Sequence, residues 1–288
     1  MLTIDVVIPV KDRSTIERCV STLRDCFSQV SGIQLRRILV CDGGSLAKDC
    51  LSQLATICQY STVDILHRPH QGFNKGWLLN QGLQAAKASV VLVSDADILW
   101  SAAAIESMVG VVKSEARRVC CVEIVKELKP SRRVLQTTKY AYKLKLAQDR
   151  RLVEIYPTAV DLDFRSGCGL LCARRSLFLE VGGYRHSFEH WGWEDQDFLI
   201  RAQLLGYQRV ERGGVVHLSH GNDLRNLPVG GSIEESRDRN IRICLAGLAK
   251  GQLRGDLQSS YENDRSIALN SDPEAKPIQV CYRTYASF

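Results

Sequence analysis

Residues 89–100 read SVVLVSDADILW, and the rest of the chain can be read outward from them. An unbroken apolar run of strand length belongs in the interior of a sheet covered on both faces. Asp95 and Asp97 follow it directly, at the end where an open parallel sheet binds its ligands. Two carboxylates in that place can hold a hard divalent cation against a diphosphate, because Mg2+ and Mn2+ favour oxygen ligands and keep positions open for phosphate. A lone pair of this kind is also an ordinary turn or helix cap, so the flanking sequence has to decide.

Upstream, FNKGWLLNQG (73–82) opens a helix with Phe73, Asn74 and Lys75 after His70, Gln71 and Gly72, a start better suited to gripping a ligand than to covering a sheet. Through the first 125 residues, strand-length apolar runs alternate with helical patterns. TIDVVIPV, RRILVC, VDIL and RVCCVEIV read as strands, and 14–29 (capped by Ser14), 46–59, 76–87 and 101–115 read as helices. This βαβα order predicts an α/β domain with a mostly parallel sheet and helices on both faces. Pro9 to Asp12, Asp42, Asp95 and Asp97 then end neighbouring strands and share one cleft.

The second half is less regular: a basic stretch, GCGLLCARRSLF, a helix from about 194 to 206, GVVHLSH, a Gly/Pro-rich segment at 221–234, and a helix from about 235 to 250. The pattern predicts one domain over 1–254, with a nucleotide-binding half (1–125) and a smaller mixed acceptor-side half (126–254). Residues 255–288 read as a tail without a recognisable element. Segment 221–234 reads as a lid hinged at His220.

HWGWEDQDFLIR places Glu194, Asp195 and Asp197 in a first helical turn, where the macrodipole favours acidic groups. That does not account for Trp191 and Trp193, which suggest a flat platform for a sugar ring beside an acid/base group. His217 and His220 follow an apolar strand; they are either two structural histidines or, in a turn, two ligands for one ion.

With 288 residues, 45% of them hydrophobic, the chain can bury a full core, and no apolar run reaches the roughly 18 residues needed to span a bilayer. The eleven cysteines show neither disulfide nor zinc-site spacing, which suggests a reducing, cytoplasmic setting, with Cys19, Cys26, Cys41, Cys120, Cys168 and Cys172 as small core residues. The net charge of +6 is concentrated between Lys126 and Arg151. That run reads first as a solvated helix face or loop, and otherwise as a contact for an anionic acceptor or a peripheral membrane surface. Nucleic acid is disfavoured, because no binding motif accompanies it.

Together these blocks resemble GT-A fold inverting glycosyltransferases, where family 2 meets the beta-1,4-galactosyltransferases and chondroitin-type polymerases. VVIPVKDR and VCDGGS match the opening strands, with Gly43 where family 2 usually has a second acid. The 73–86 and 91–100 blocks resemble the galactosyltransferase pattern, and GGYRHSFEHWGWEDQDFLIR resembles its WGGED block with Trp193 in place of a glycine. The resemblance implies that Pro9, Lys11, Asp12 and Asp42 hold the nucleoside, that Phe73 and Lys75 flank a uridine diphosphate, and that Asp95 bonds the ribose or donor sugar. It implies Asp97, His217 and His220 as ligands of Mn2+ or Mg2+, although relatives have methionine at the position of His217. It further implies that Trp191, Trp193 and Glu194 bind a saccharide or glycoconjugate acceptor and that Asp195 takes its hydroxyl proton. The function so implied is transfer of a sugar from a nucleotide-sugar donor to an acceptor hydroxyl.

Rival readings lack support in the residues. A sugar nucleotidyltransferase would show a Gly-rich loop where PVKDRST has no glycine. A DxD phosphatase would carry its pair after the first strand. A silent carbohydrate-binding relative should have lost Asp97 or Asp195, and both are present.

Overall fold

A computed structural model describes residues 1–129, 138–147, 150–159, 163–221, 231–257 and 277–283. The chain runs β1 (Leu2–Val10), α1 (Ile16–Gln29), β2 (Ile33–Asp42), α2 (Lys48–Ile57), β3 (Val63–His67), α3 (Lys75–Ala85), β4 (Val90–Val93), β5 (Ile98–Leu99), α4 (Ala102–Ser114) and β6 (Arg118–Glu127). It continues as β7 (Lys139–Leu146), β8 (Arg151–Thr158), β9 (Phe164–Arg174), α5 (Arg175–Val181), α6 (Glu194–Leu204), β10 (Gln208–His217), α7 (Ile233–Ala249) and β11 (Ile278–Tyr282).

The main sheet has the order β3-β2-β1-β4-β9-β6-β10-β5. Its first four strands are parallel, as the βαβα pattern requires, and β9 enters antiparallel between β4 and β6. Side-chain alternation feeds two cores. Ile4, Val6, Ile8, Ile38, Val40, Val90 and Leu92 pack on one face, with residues of α1, α2 and α4, while Val7, Leu39, Cys41, Val91 and Val93 meet α3, α5 and α6 on the other. The six cysteines expected inside are all buried.

Several expectations need correction. α1 begins at Ile16 with Thr15, not Ser14, at its N-cap, and the Thr15 hydroxyl donates instead to the Ala96 carbonyl at 2.9 Å, tying the helix to the Asp95–Asp97 turn. The described part of the basic run is no helix face: β7 and β8 form an antiparallel hairpin in a second sheet of order β11-β8-β7. Tyr140 turns inward to a third core with Val153, Ile155 and residues of α6 and α7. Lys143 and Lys145 point to solvent on β7, an edge strand, where charges suppress unwanted pairing.

The described residues beyond 254 are joined to the rest of the fold. Gly255 N–H donates to Val181 O at 2.9 Å, Leu257 N–H to Gly182 O at 2.8 Å, and β11 pairs in parallel with β8. Residues 222–230 of the expected lid, together with 130–137 and 148–149 of the basic run, lie outside the described residues. Among the described residues no helix is long and apolar enough to cross a membrane.

Candidate functional site

At the carboxyl ends of the strands lies a cleft of about 270 Å3, and most of the residues singled out in the sequence line it. Its floor is built by two helix starts. Asn74 caps α3 by accepting from Trp77 N–H at 2.8 Å, which places Lys75 in the first helical position. A cation there opposes the macrodipole, so carboxylates must hold it. Lys75 Nζ lies 2.9 Å from Asp195 Oδ2, 3.0 Å from Asp95 Oδ1 and 3.4 Å from Glu194 Oε1.

Burial pushes the Asp195 carboxyl up to about 7; Lys75 opposes that rise, and the like charges of Glu194 and Asp95 add to it. Burial would depress Lys75, but the three carboxylates hold it well above the usual lysine range. Gly169 on β9 leaves the room: an added Cβ would sit 2.5 Å from Asp195 Oδ2 and 3.1 Å from Lys75 Nζ.

α6, which carries Glu194 and Asp195, starts from an unusual turn. His190 and Trp193 adopt φ of 63° and 77°, a region that disfavours large side chains, and the glycine of the resembling block is explained by that conformation. The turn is held by α7: Ser236 Oγ donates to Trp191 O at 2.8 Å, and Asn240 Nδ2 donates to Gly192 O at 2.7 Å. Trp193 does not form an open platform with Trp191. It is 5% exposed and packs with Ile200, Leu204, Ile241 and Cys244, which repays the strained backbone with buried apolar area. Asp197, the third acid of the turn, is structural, lying 3.1 Å from Arg185 Nη1 and 2.7 Å from Arg201 Nε.

Asp97 and His220 line the same cleft and converge with His217, one ligand atom of each lying within 4.8 Å of the others. Asp97 Oδ2 is 3.4 Å from His217 Nε2 and 3.2 Å from His220 Nε2. Both histidines engage an acceptor through Nδ1, at 2.8 Å from Glu127 Oε2 and 2.8 Å from Gly221 O respectively, which leaves each Nε2 facing Asp97. His217 Nε2 is buried and makes no hydrogen bond. An oxygen and two nitrogens with such an orphaned atom fit a divalent cation.

Without an ion, the neighbouring charges act on one another. Burial would raise Asp97, but the two histidines hold it well below the carboxylate range. Burial would lower His217, and Asp97 and Glu127 raise it instead. Glu127, against its own burial, is brought to about 2 by His217, Arg165 and Ser219.

Of the residues expected to hold a nucleoside, Pro9, Lys11 and Phe73 line the cleft, with Lys11 Nζ donating to His70 O at 3.2 Å and Gly72 O at 2.5 Å. Asp12 and Asp42 do not line it. Asp12 Oδ1 accepts from the N–H groups of Leu46 and Ala47 at 2.6 and 2.7 Å. Asp42 Oδ1 accepts from Ser45 Oγ at 2.6 Å, and Oδ2 lies 2.7 Å from His67 Nδ1, so both acids organise the loop after β2. Glu127 and Arg165 belong to the site or its wall and were not singled out for it in the sequence, whereas Lys139, which lines the cleft, falls in the basic run read there as a contact for an anionic acceptor. Only the position of Glu127, at the end of a strand, hinted at it.

The model for the family described as "Glycosyltransferase like family 2" matches residues 5–227. The chain belongs to that family. No curated protein matches this family 2-like glycosyltransferase in sequence. Its fold is GT-A, shared with three solved structures. A mannosyltransferase from Pyrobaculum calidifontis in complex with GDP-Man and Mn2+ is 16% identical, with a TM-score of 0.55 over 86% of this chain and 64% of that one. TarS residues 1–349 from S. aureus is 14% identical, with a TM-score of 0.56 over 89% and 67%. GalNAc-T7 with UDP, GalNAc and Mn2+ is 17% identical, with a TM-score of 0.60 over 85% and 48%. The family 2-like chain thus spans about two thirds of the first two structures and half of the third.

Proposed function

We propose that this chain is a metal-dependent, inverting glycosyltransferase that moves a hexosyl group from a nucleotide-sugar, a UDP-sugar in the first instance, to a hydroxyl of a saccharide or glycoconjugate. The observation that carries the proposal is that one cleft is bordered both by the Asp195–Lys75 pair and by the Asp97, His217 and His220 cluster. Solved structures of the same fold with GDP-Man or UDP, each with Mn2+, support the donor class.

Asp97, His217 and His220 would hold the cation, and the mixed nitrogen and oxygen set favours Mn2+ over Mg2+. When bound, the ion supplies Lewis-acid neutralisation of the diphosphate. Pro9, Lys11 and Phe73 receive the nucleoside, and Asp95 the ribose or donor sugar. Asp195 accepts the proton of the acceptor hydroxyl as its oxygen bonds to the anomeric carbon, and the bond from that carbon to the phosphate oxygen breaks with its electron pair on the leaving diphosphate. Lys75 stabilises that charge. Asp195 acting as base on the acceptor, rather than as a nucleophile on the sugar, gives attack from the face opposite the leaving group, and so inversion. Trp191 and Glu194 orient the acceptor, and Trp193 fixes the turn that carries them.

Incubating the chain with a panel of nucleotide-sugars and Mn2+ is expected to release nucleotide from one donor well above the others. No release from any donor, with or without simple saccharide acceptors, would count against transfer.

The described lysines of β7 support an anionic acceptor. Lys139 lines the cleft, and Lys143 and Lys145 continue outward on the same face of the strand. Their joint replacement by Gln is expected to raise the acceptor KM several-fold and flatten its dependence on salt, with the donor KM unchanged. Unaltered acceptor kinetics would leave these lysines as guards of a sheet edge.

A further inference from the structure

Glu127 touches neither the cleft floor nor any expected substrate, yet its side chain is fully buried. A buried carboxylate persists only when its oxygens are satisfied. Its Oε1 accepts from Arg165 Nε at 2.7 Å; Oε2 accepts from Ser219 Oγ at 2.6 Å and lies 2.8 Å from His217 Nδ1. The arrangement is built into the sheet: Glu127 ends β6, His217 ends β10, and the two stand opposite each other in the β6–β10 register. Arg165 arrives from β9, and Ser219 stands between the two histidines in sequence.

We propose that Glu127 is a positioning residue for the metal centre, fixing His217 as a nitrogen ligand and so biasing the centre towards Mn2+ and similar transition dications over Mg2+. This rests on the reading of Asp97, His217 and His220 as metal ligands. With three donors converging on it, Glu127 is an acceptor only, so Nδ1 of His217 carries a hydrogen and Nε2 is the nitrogen left to meet an ion. Nε2 lies 3.4 Å from Asp97 Oδ2, the other side of the proposed centre. A carboxylate behind a histidine ligand also raises its basicity and locks the ring plane. His220 obtains the same orientation from the backbone carbonyl of Gly221, which no side-chain substitution removes, so Glu127 is the part of the device that mutation can test.

Glu127→Gln keeps the shape, removes the charge and turns one oxygen into a donor, so either Arg165 or His217 loses its acceptor. Calorimetric titration of the whole chain with Mn2+ is expected to show affinity about 10- to 100-fold weaker in this variant, and a smaller change for Mg2+. In a His217→Ala background, Glu127→Gln should cost no further affinity, because its effect passes through that ring.

Glu127→Ala gives a second measurement where it folds, and the isosteric Gln carries the test where Ala does not. Parent-like Mn2+ affinity in folded Glu127→Gln would overturn the proposal, as would equal losses with and without His217. The reading beneath it has its own control: if Asp97→Ala leaves Mn2+ affinity unchanged, the ion does not bind there and both fall.

Discussion

Asp97→Ala is expected to abolish turnover, and a chelator is expected to do the same to the parent, with added Mn2+ restoring the chelated parent but not the variant. Among the described residues Asp97 is the one carboxylate that meets both histidines, through a single oxygen at 3.4 and 3.2 Å. Without it, two nitrogens remain and the negative charge of the set is gone. The backbone of the turn does not depend on that carboxylate: Leu218 N–H donates to the Asp97 carbonyl at 2.8 Å, and Thr15 Oγ1 holds the Ala96 carbonyl. The variant should therefore fold, and its lost activity is attributable to the site. Full activity of the parent in chelator would reject the metal requirement outright.

Asp195→Asn is the second large effect. Asn keeps the size and polarity of the side chain but does not take a proton at neutral pH, so turnover should fall by about 100- to 10,000-fold, the usual worth of a general base. Nucleotide affinity should stay near that of the parent, because Lys75 retains Asp95 and Glu194. The pH profile gives an independent readout. Catalysis needs the ionised form of Asp195, and its carboxyl is pushed up to about 7. Parent activity should accordingly be full above that value and lost as the pH falls through it, whereas a solvated aspartate would place the same limb near 4. The residual rate of the Asn variant should show no such limb. A drop in nucleotide affinity as large as the drop in turnover would make Asp195 structural and place the base elsewhere.

The parallel half of the fold was legible because each of its strands is a short apolar run followed by a helical pattern, and because local order fixes neighbours in such a sheet. Asp95, Asp97, Lys75 and Asp195 were legible for a related reason: each stands at the start of a helix or just past a buried strand, where a polar residue has few structural duties. Other features depended on partners far along the chain. Glu127 gains its meaning from His217, 90 residues away, and Asp197 looked like its acidic neighbours until Arg185 and Arg201 enclosed it. β11 is five residues whose only strand partner, β8, lies over 100 residues earlier. KYAYKLKL does alternate, with Tyr140 and Leu144 inward and Lys143 and Lys145 outward, but its density of positive charge favoured the reading as a solvated surface. Trp193 misled in another way, since an aromatic beside an acid resembles a sugar platform and burial alone reveals its packing role.

The insertion of β9 between β4 and β6 bears on how the chain is made. A ribosome delivers β4 and β6 early, yet neither can pair with the other; each waits with an open edge until residues 164–174 emerge and slide between them. Only then do Gly169 and the helices that follow reach the floor beneath Lys75. The two halves that a sequence reader would separate at residue 125 are in this sense one kinetic unit. Pairings over such separations form slowly and leave strand edges exposed meanwhile, so the newborn chain passes through a stage in which it is prone to stick to its neighbours before the cleft exists.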